Sequence, residues 1–132
     1  MNPGSWLLDT HALLWLLYDD PRLSQNVIEL SESEAPLYYS VVAFWEISLK
    51  RSRAGFDFQI EDDWDKLLPP ALESSGILRI DIEAEDCRYC EDLPLHHRDP
   101  FDRLMIAQCQ TRHLGAITRD AQWKQYDINC LW

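Results

Sequence analysis

The strongest constraint in this sequence is a repeated pairing: short apolar runs that end near an acid, each followed by a helix-length segment. Trp6-Leu7-Leu8 runs into Asp9-Thr10, and Ala116-Ile117-Thr118 runs into Arg119-Asp120. Runs this short suit strands covered on both faces better than helices. Further strands are expected at 37–39, 77–80 and 128–131. Between them lie helical signals. Residues 12–18 are apolar nearly all round and predict a buried helix that Pro21 ends. Ser24 caps a helix reaching residue 33, and Ser40 caps another reaching about Arg53, which Gly55 closes. Residues 56–60 read as loop or short strand. Trp64, Leu67 and Leu68 set a helix over 61–68 that Pro69-Pro70 interrupt. Residues 83–93 predict an acidic helix, 100–113 a longer one ended by Gly115, and 120–125 a short one. Strands alternating with helices predict one α/β domain over residues 1–132, a parallel sheet flanked by helices.

Composition agrees with a packed domain. Of 132 residues, 46% are apolar, and six Trp give the core bulk, which excludes a disordered chain despite a net charge of −11. That charge argues against a protein that coats DNA, which needs a basic footprint. It does not exclude a nuclease, which can gather acids at a metal site. No run approaches the roughly 20 apolar residues that span a bilayer, and the N-terminus lacks a basic signal-peptide region. Cys87 and Cys90 form a CxxC without a second ligand pair at zinc spacing, so they read as ordinary thiols. A reducing cytoplasm is the expected compartment, with no membrane partner.

Ligands of parallel α/β sheets bind at the carboxyl ends of the strands. Asp9 and Asp120 follow strands there. Glu46 and Asp102 lie within otherwise apolar helices. A carboxylate in such a place is costly unless paired or bound to a cation. Each acid has a structural alternative: Asp9 and Asp120 as helix caps, Asp102 as the third residue of a helix capped by Asp99, Glu46 as the partner of Lys50. Four such acids at comparable points of successive units point to a site for Mg²⁺ or Mn²⁺.

The order of motifs resembles the PIN-domain ribonucleases, in particular the VapC-like toxins of bacterial toxin–antitoxin pairs. The segments are Leu7-Leu8-Asp9-Thr10-His11, Ser40 through Lys50 around Glu46, His97-Arg98-Asp99-Pro100-Phe101-Asp102-Arg103, and Ile117-Thr118-Arg119-Asp120. The resemblance implies that Asp9, Glu46, Asp102 and Asp120 hold Mg²⁺ or Mn²⁺, with the Thr118 hydroxyl beside the fourth acid. It implies an endoribonuclease that hydrolyses RNA with metal-activated water, leaving a 5′-phosphate and a 3′-hydroxyl. It also implies a homodimer and a cognate antitoxin protein whose C-terminal segment lies across the groove. Residues 56–75 match no motif and are expected to carry partner or dimer contacts.

Lys50, Arg98, Arg103 and Arg119 lie near these acids in sequence and are expected to touch RNA, giving an acidic protein a local basic rim. His11 reads as mainly structural, His96-His97 as a solvated loop, and Trp45 as packing. A phosphatase of the haloacid-dehalogenase type is disfavoured, because Asp9-Thr10-His11 lacks the DxD that such enzymes carry. Two alternatives stay open: a PIN nuclease that is not a toxin, and a PIN-like domain that only binds a partner.

Overall fold

A computed structural model of the chain describes residues 4–53 and 58–132. Five strands form one parallel sheet in the order β3-β2-β1-β4-β5. They are β1 (Trp6–Leu8), β2 (Leu37–Ser40), β3 (Leu78–Ile80), β4 (Gly115–Ile117) and β5 (Cys130–Leu131). The helices are α1 (Thr10–Leu17), α2 (Gln25–Ser31), α3 (Val42–Arg51), α4 (Trp64–Ser74), α5 (Ala84–Glu91) and α6 (Pro100–Arg112), with a 3-10 helix at Ala121–Gln125. The expected α/β architecture is the one found.

The alternation of strand side chains builds the two faces. Trp6 and Leu8 point into a cluster with Leu13, Val27, Ile47, Leu68 and Leu72. Leu7, between them, enters the opposite cluster with Val42, Phe101, Met105, Ile106 and Trp123. Burial on both faces explains why β1 and β4 are wholly apolar.

The sheet order also fixes where a crevice opens. The chain steps from β1 to β2 to β3 on one side, then returns to lay β4 on the other side of β1. Connections therefore diverge between β1 and β4, and a ligand cleft forms at that switch point.

Several expectations need correction. Helix α4 runs through Pro69 and Pro70 instead of stopping before them. Burial of Leu68 and Leu72 holds it against the core. The carbonyls that the prolines leave unbonded belong to Asp65 and Lys66, which are exposed and open to water. Helix α6 ends at His113 in the left-handed region (φ 55°), not at Gly115, which already begins β4. The Leu114 N–H then donates back to the Cys109 carbonyl at 2.9 Å. Helix α3 starts at Val42, with the Ser40 hydroxyl accepting from the Val42 N–H at 3.2 Å. Its expected close at Gly55, and the start of the 56–60 loop, lie outside the described residues. No helix among the described residues is long and apolar enough to cross a membrane.

Candidate metal centre

The switch point brings the first and fourth acids together. Leu8 pairs with Ile117, so Asp9 and Thr118 follow on the next rung. One Asp9 oxygen caps α1, accepting from the Ala12 N–H at 2.8 Å. The Thr118 hydroxyl bonds to the same carboxylate, yet burial outweighs both bonds and raises the Asp9 pKa. Thr118 Oγ1 in turn accepts from the Asp120 N–H at 3.1 Å. Asp120 caps the 3-10 helix with Oδ1, accepting from Gln122 N–H at 2.9 Å. Its Oδ2 is left to face His97 Nε2 at 2.8 Å.

His97 ties the fourth acid to the third. Its Nδ1 accepts from the Asp99 N–H at 3.1 Å, which leaves the ring hydrogen on Nε2. That hydrogen is shared between Asp120 Oδ2 and Asp102 Oδ2, the latter at 3.0 Å. Because the Asp99 N–H is spent on His97, Asp102 has no backbone donor to reach back to. The capping box open to Asp102 does not form. Asp99 instead does the capping, accepting from Phe101 and Asp102 N–H at 2.9 and 3.1 Å. Asp102 is left in poor company. Burial, then the charges of Asp99, Glu46, Asp9 and Asp120, push its pKa up to about 8.

Glu46 completes the set from α3 and is buried at 2% exposure. Both its oxygens are engaged at 2.5 Å, Oε1 by the Thr10 hydroxyl and Oε2 by the Lys50 ammonium one turn on. Burial opposes the charge on Lys50, but Glu46, Asp99 and Asp102 outweigh it and raise its pKa. Lys50 is thus a tethered cation inside the acid site.

Among the described residues, His97, Asp102 and Asp120 offer ligand atoms within 4.8 Å of one another. Asp9 and Glu46 stand outside that trio but act on Asp102 through their charge. Excess carboxylate oxygen, with the Asp102 pKa raised by burial and by neighbouring acids, fits a hard divalent cation such as Mg²⁺ or Mn²⁺. His97 acts as a brace, since its Nε2 carries the hydrogen.

The bases divide. Arg119 lines a cavity with Asp9 and Asp120, and Arg98 is exposed beside His97. Arg103 turns away: its guanidinium donates to the carbonyls of Cys90, Leu93, Pro94 and His97. It pins the loop that carries His97 and leaves the set expected to touch RNA. Two further readings are corrected. His97 is 7% exposed, not a solvated loop residue. Trp45 is 59% exposed, its ring edge-on to Phe101 at 5.1 Å. What the sequence reading missed is the brace itself; its only signal was a His two residues before a capping Asp-Pro.

A parallel α/β sheet with carboxylates gathered at its switch point defines an α/β domain with an acidic crevice. Residues 6–129 match the PIN domain family, and the chain belongs to that family. No curated protein sequence matches significantly. Among solved structures, VapBC2 from Rickettsia felis bound to a promoter DNA fragment is similar over 96% of each chain, at 16% identity and a TM-score of 0.69. DNA-bound VapBC from Salmonella typhimurium is similar over 99% of this chain and 98% of that one, at 12% identity and a TM-score of 0.69. VapBC-5 from Mycobacterium tuberculosis, a member of a toxin–antitoxin family, is similar over 98% of each chain, at 18% identity and a TM-score of 0.59. At these identities the likeness speaks for the fold.

Proposed function

We propose that residues 1–132 act as one PIN-domain endoribonuclease dependent on Mg²⁺ or Mn²⁺, the toxin of a toxin–antitoxin pair in the cytoplasm. The observation that carries this reading is the meeting of Asp102 and Asp120 on one His97 nitrogen at the sheet's switch point, with Asp9 and Glu46 bearing on them. Asp9, Glu46, Asp102 and Asp120 would hold the cation. When bound, the cation lowers the pKa of water and relieves charge on the phosphodiester.

The protein's own groups do the rest. Asp9 is fixed by Ala12 and Thr118, and Asp120 by Gln122 and His97. Thr118 links the two, so their relative position does not depend on mobile side chains. His97 fixes one oxygen each of Asp102 and Asp120; the second Asp102 oxygen is left for the cation, while the second Asp120 oxygen also accepts from the Gln122 N–H. The Lys50 ammonium, beside Glu46, is placed to meet a phosphate oxygen. Arg98 and Arg119 are the exposed bases that would contact the RNA, Arg98 at its backbone.

The structural neighbours include complexes of VapC-type proteins with their antitoxins, which supports an antitoxin protein as partner here. Its acidic target is suited to an Arg, whose fork pairs with carboxylates bidentately. Homodimerisation is proposed on the family resemblance alone, and exposed Leu67 on α4 and Leu95 are candidate contacts. The test is incubation of the purified protein with total RNA and Mn²⁺, followed by mapping of cut ends. Cuts with 5′-phosphates that vanish in EDTA are expected. Intact RNA under these conditions, or cleavage undiminished in EDTA, overturns the reading.

A further inference from the structure

A cavity of about 260 Å³ opens beside the acids, lined by Asp9, His11, Trp15, Arg119, Asp120 and Trp132. Its walls are unlike the rest of the site. His11 and Trp15 lie one turn apart on α1 and so share a face, their rings 5.4 Å apart. Trp132, just after β5, meets Trp15 edge-on at 5.7 Å. The Arg119 guanidinium lies over the Trp15 ring at 4.7 Å. Among the described residues it makes no ion pair, although Asp120 adjoins it in sequence.

Trp15 is 2% exposed, and its indole N–H has no acceptor among the described residues. A buried donor is normally satisfied. That N–H has no surface on the cavity, so Trp15 serves it as wall rather than as donor. Three aromatic rings and a guanidinium plane, next to two carboxylates, make one kind of ligand fit. A nucleobase offers a flat face to Trp132 and Arg119. Its phosphate would then fall toward Asp9 and Asp120.

We propose that this cavity is a nucleobase subsite, which receives the base of a nucleotide flanking the cut. The proposal rests on the ribonuclease reading above, and its test keeps the two apart. Trp132 and Arg119 stack on the base. Such stacking is sequence-tolerant but requires a base to be present.

The experiment uses the mapped RNA site as an oligoribonucleotide, intact or with an abasic nucleotide on either side of the cut. Wild type is expected to lose roughly 5- to 150-fold in kcat/KM when the correct base is missing. Trp132→Ala should lose a similar factor on the intact strand and little more on the abasic one, because both remove the same contact. Trp132→Phe should restore most of it. Arg119→Gln, at an exposed position, repeats the test if Trp132→Ala folds poorly.

A second arm needs no cleavage: binding of UMP and AMP in Mn²⁺ is compared with binding of ribose 5-phosphate. Tighter binding of the nucleotides, lost in Trp132→Ala, supports the subsite even if no RNA is cut. Equal cutting of intact and abasic strands by wild type overturns it while leaving the ribonuclease reading intact. Equal binding of ribose 5-phosphate and nucleotides overturns it in either case. So does a Trp132→Ala protein that discriminates RNA normally but no longer binds its antitoxin, since the cavity would then belong to the partner.

Discussion

Asp86 and Asp102 occupy the same local position and meet opposite fates. Each is the third residue of its helix, α5 and α6, behind an acidic cap, Glu83 and Asp99. Each is largely withdrawn from solvent. Asp86 accepts the Glu83 N–H at 2.9 Å and is gripped by Arg112 at 2.6 and 3.0 Å, with Thr111 at 3.2 Å. Although burial opposes its charge, those bonds win and lower its pKa. Asp102 has His97 but no cationic fork, and burial, reinforced by the acids around it, pushes its pKa to about 8. A buried acid whose counter-charge is built into the protein is structural. A buried acid surrounded by like charge is left for a cation from outside.

The largest expected break between the two is in activity. Asp102→Asn keeps the shape and removes the charge, so RNA cleavage should fall by orders of magnitude. Asp86→Asn should cut RNA at the wild-type rate once folded. Equal rates for wild type and Asp102→Asn in a cleavage assay would erase the distinction.

Stability should break the other way. Asp86→Ala strands Arg112 and separates α5 from α6, at a cost of about 3 kcal/mol in denaturant melts. Asp102→Asn, without metal and above about pH 8 where the carboxyl is charged, relieves repulsion and should melt no lower than wild type.

Metal should sharpen the contrast. Mn²⁺ at a hundred times its dissociation constant stabilises a folded-only site by about 2.7 kcal/mol. Wild type and Asp86→Asn should both show that rise in melting temperature, and Asp102→Asn should show much less. A full shift in Asp102→Asn would take that residue out of the ligand set.

The pH dependences should have opposite signs. Metal-free, folded Asp102 keeps a proton up to about 8 that the unfolded chain releases near 3.8. Its contribution to stability is therefore present below 3.8 and lost as pH rises through about 8. Asp86 is lowered from 3.8, so its contribution is present above 3.8 and lost as pH falls through its folded value. Melts in EDTA across this range should show the alkaline loss flattened in Asp102→Asn and the acid loss flattened in Asp86→Asn.

The smallest effect tests the cause of the shift. Asn caps a helix about as well as Asp, so Asp99→Asn should change stability by less than about 0.5 kcal/mol. It removes the largest charge acting on Asp102. Mn²⁺ affinity, which rises with pH until the Asp102 proton is gone, should therefore level off at lower pH. An unchanged titration would leave the shift to burial and the remaining acids, Glu46, Asp9 and Asp120.

The sequence by itself determined the elements that local chemistry controls. Apolar runs at Trp6–Leu8 and Ala116–Thr118 read as buried strands, because nothing else that short can hide on both faces; the second strand lies one residue earlier, at Gly115–Ile117. Ser24 and Asp99 read as caps, because their side chains reach the next turn's N–H wherever the helix goes. The four acids were legible as a group, because each lies at a strand end or within an apolar helix.

Tertiary structure decided what local pattern leaves degenerate. Pro69-Pro70 read as a break, but core burial of Leu68 and Leu72 carried α4 through them. Arg103 read as a base near the site, but carbonyls from residues 90–97 turned it inward. Asp86 and Asp102 share one helix position, and only packing gave one an Arg112 and the other a ring of acids. Charge acts across space rather than along the chain. Which of two equivalent carboxylates is neutralised by the protein depends on partners that the fold brings from distant elements.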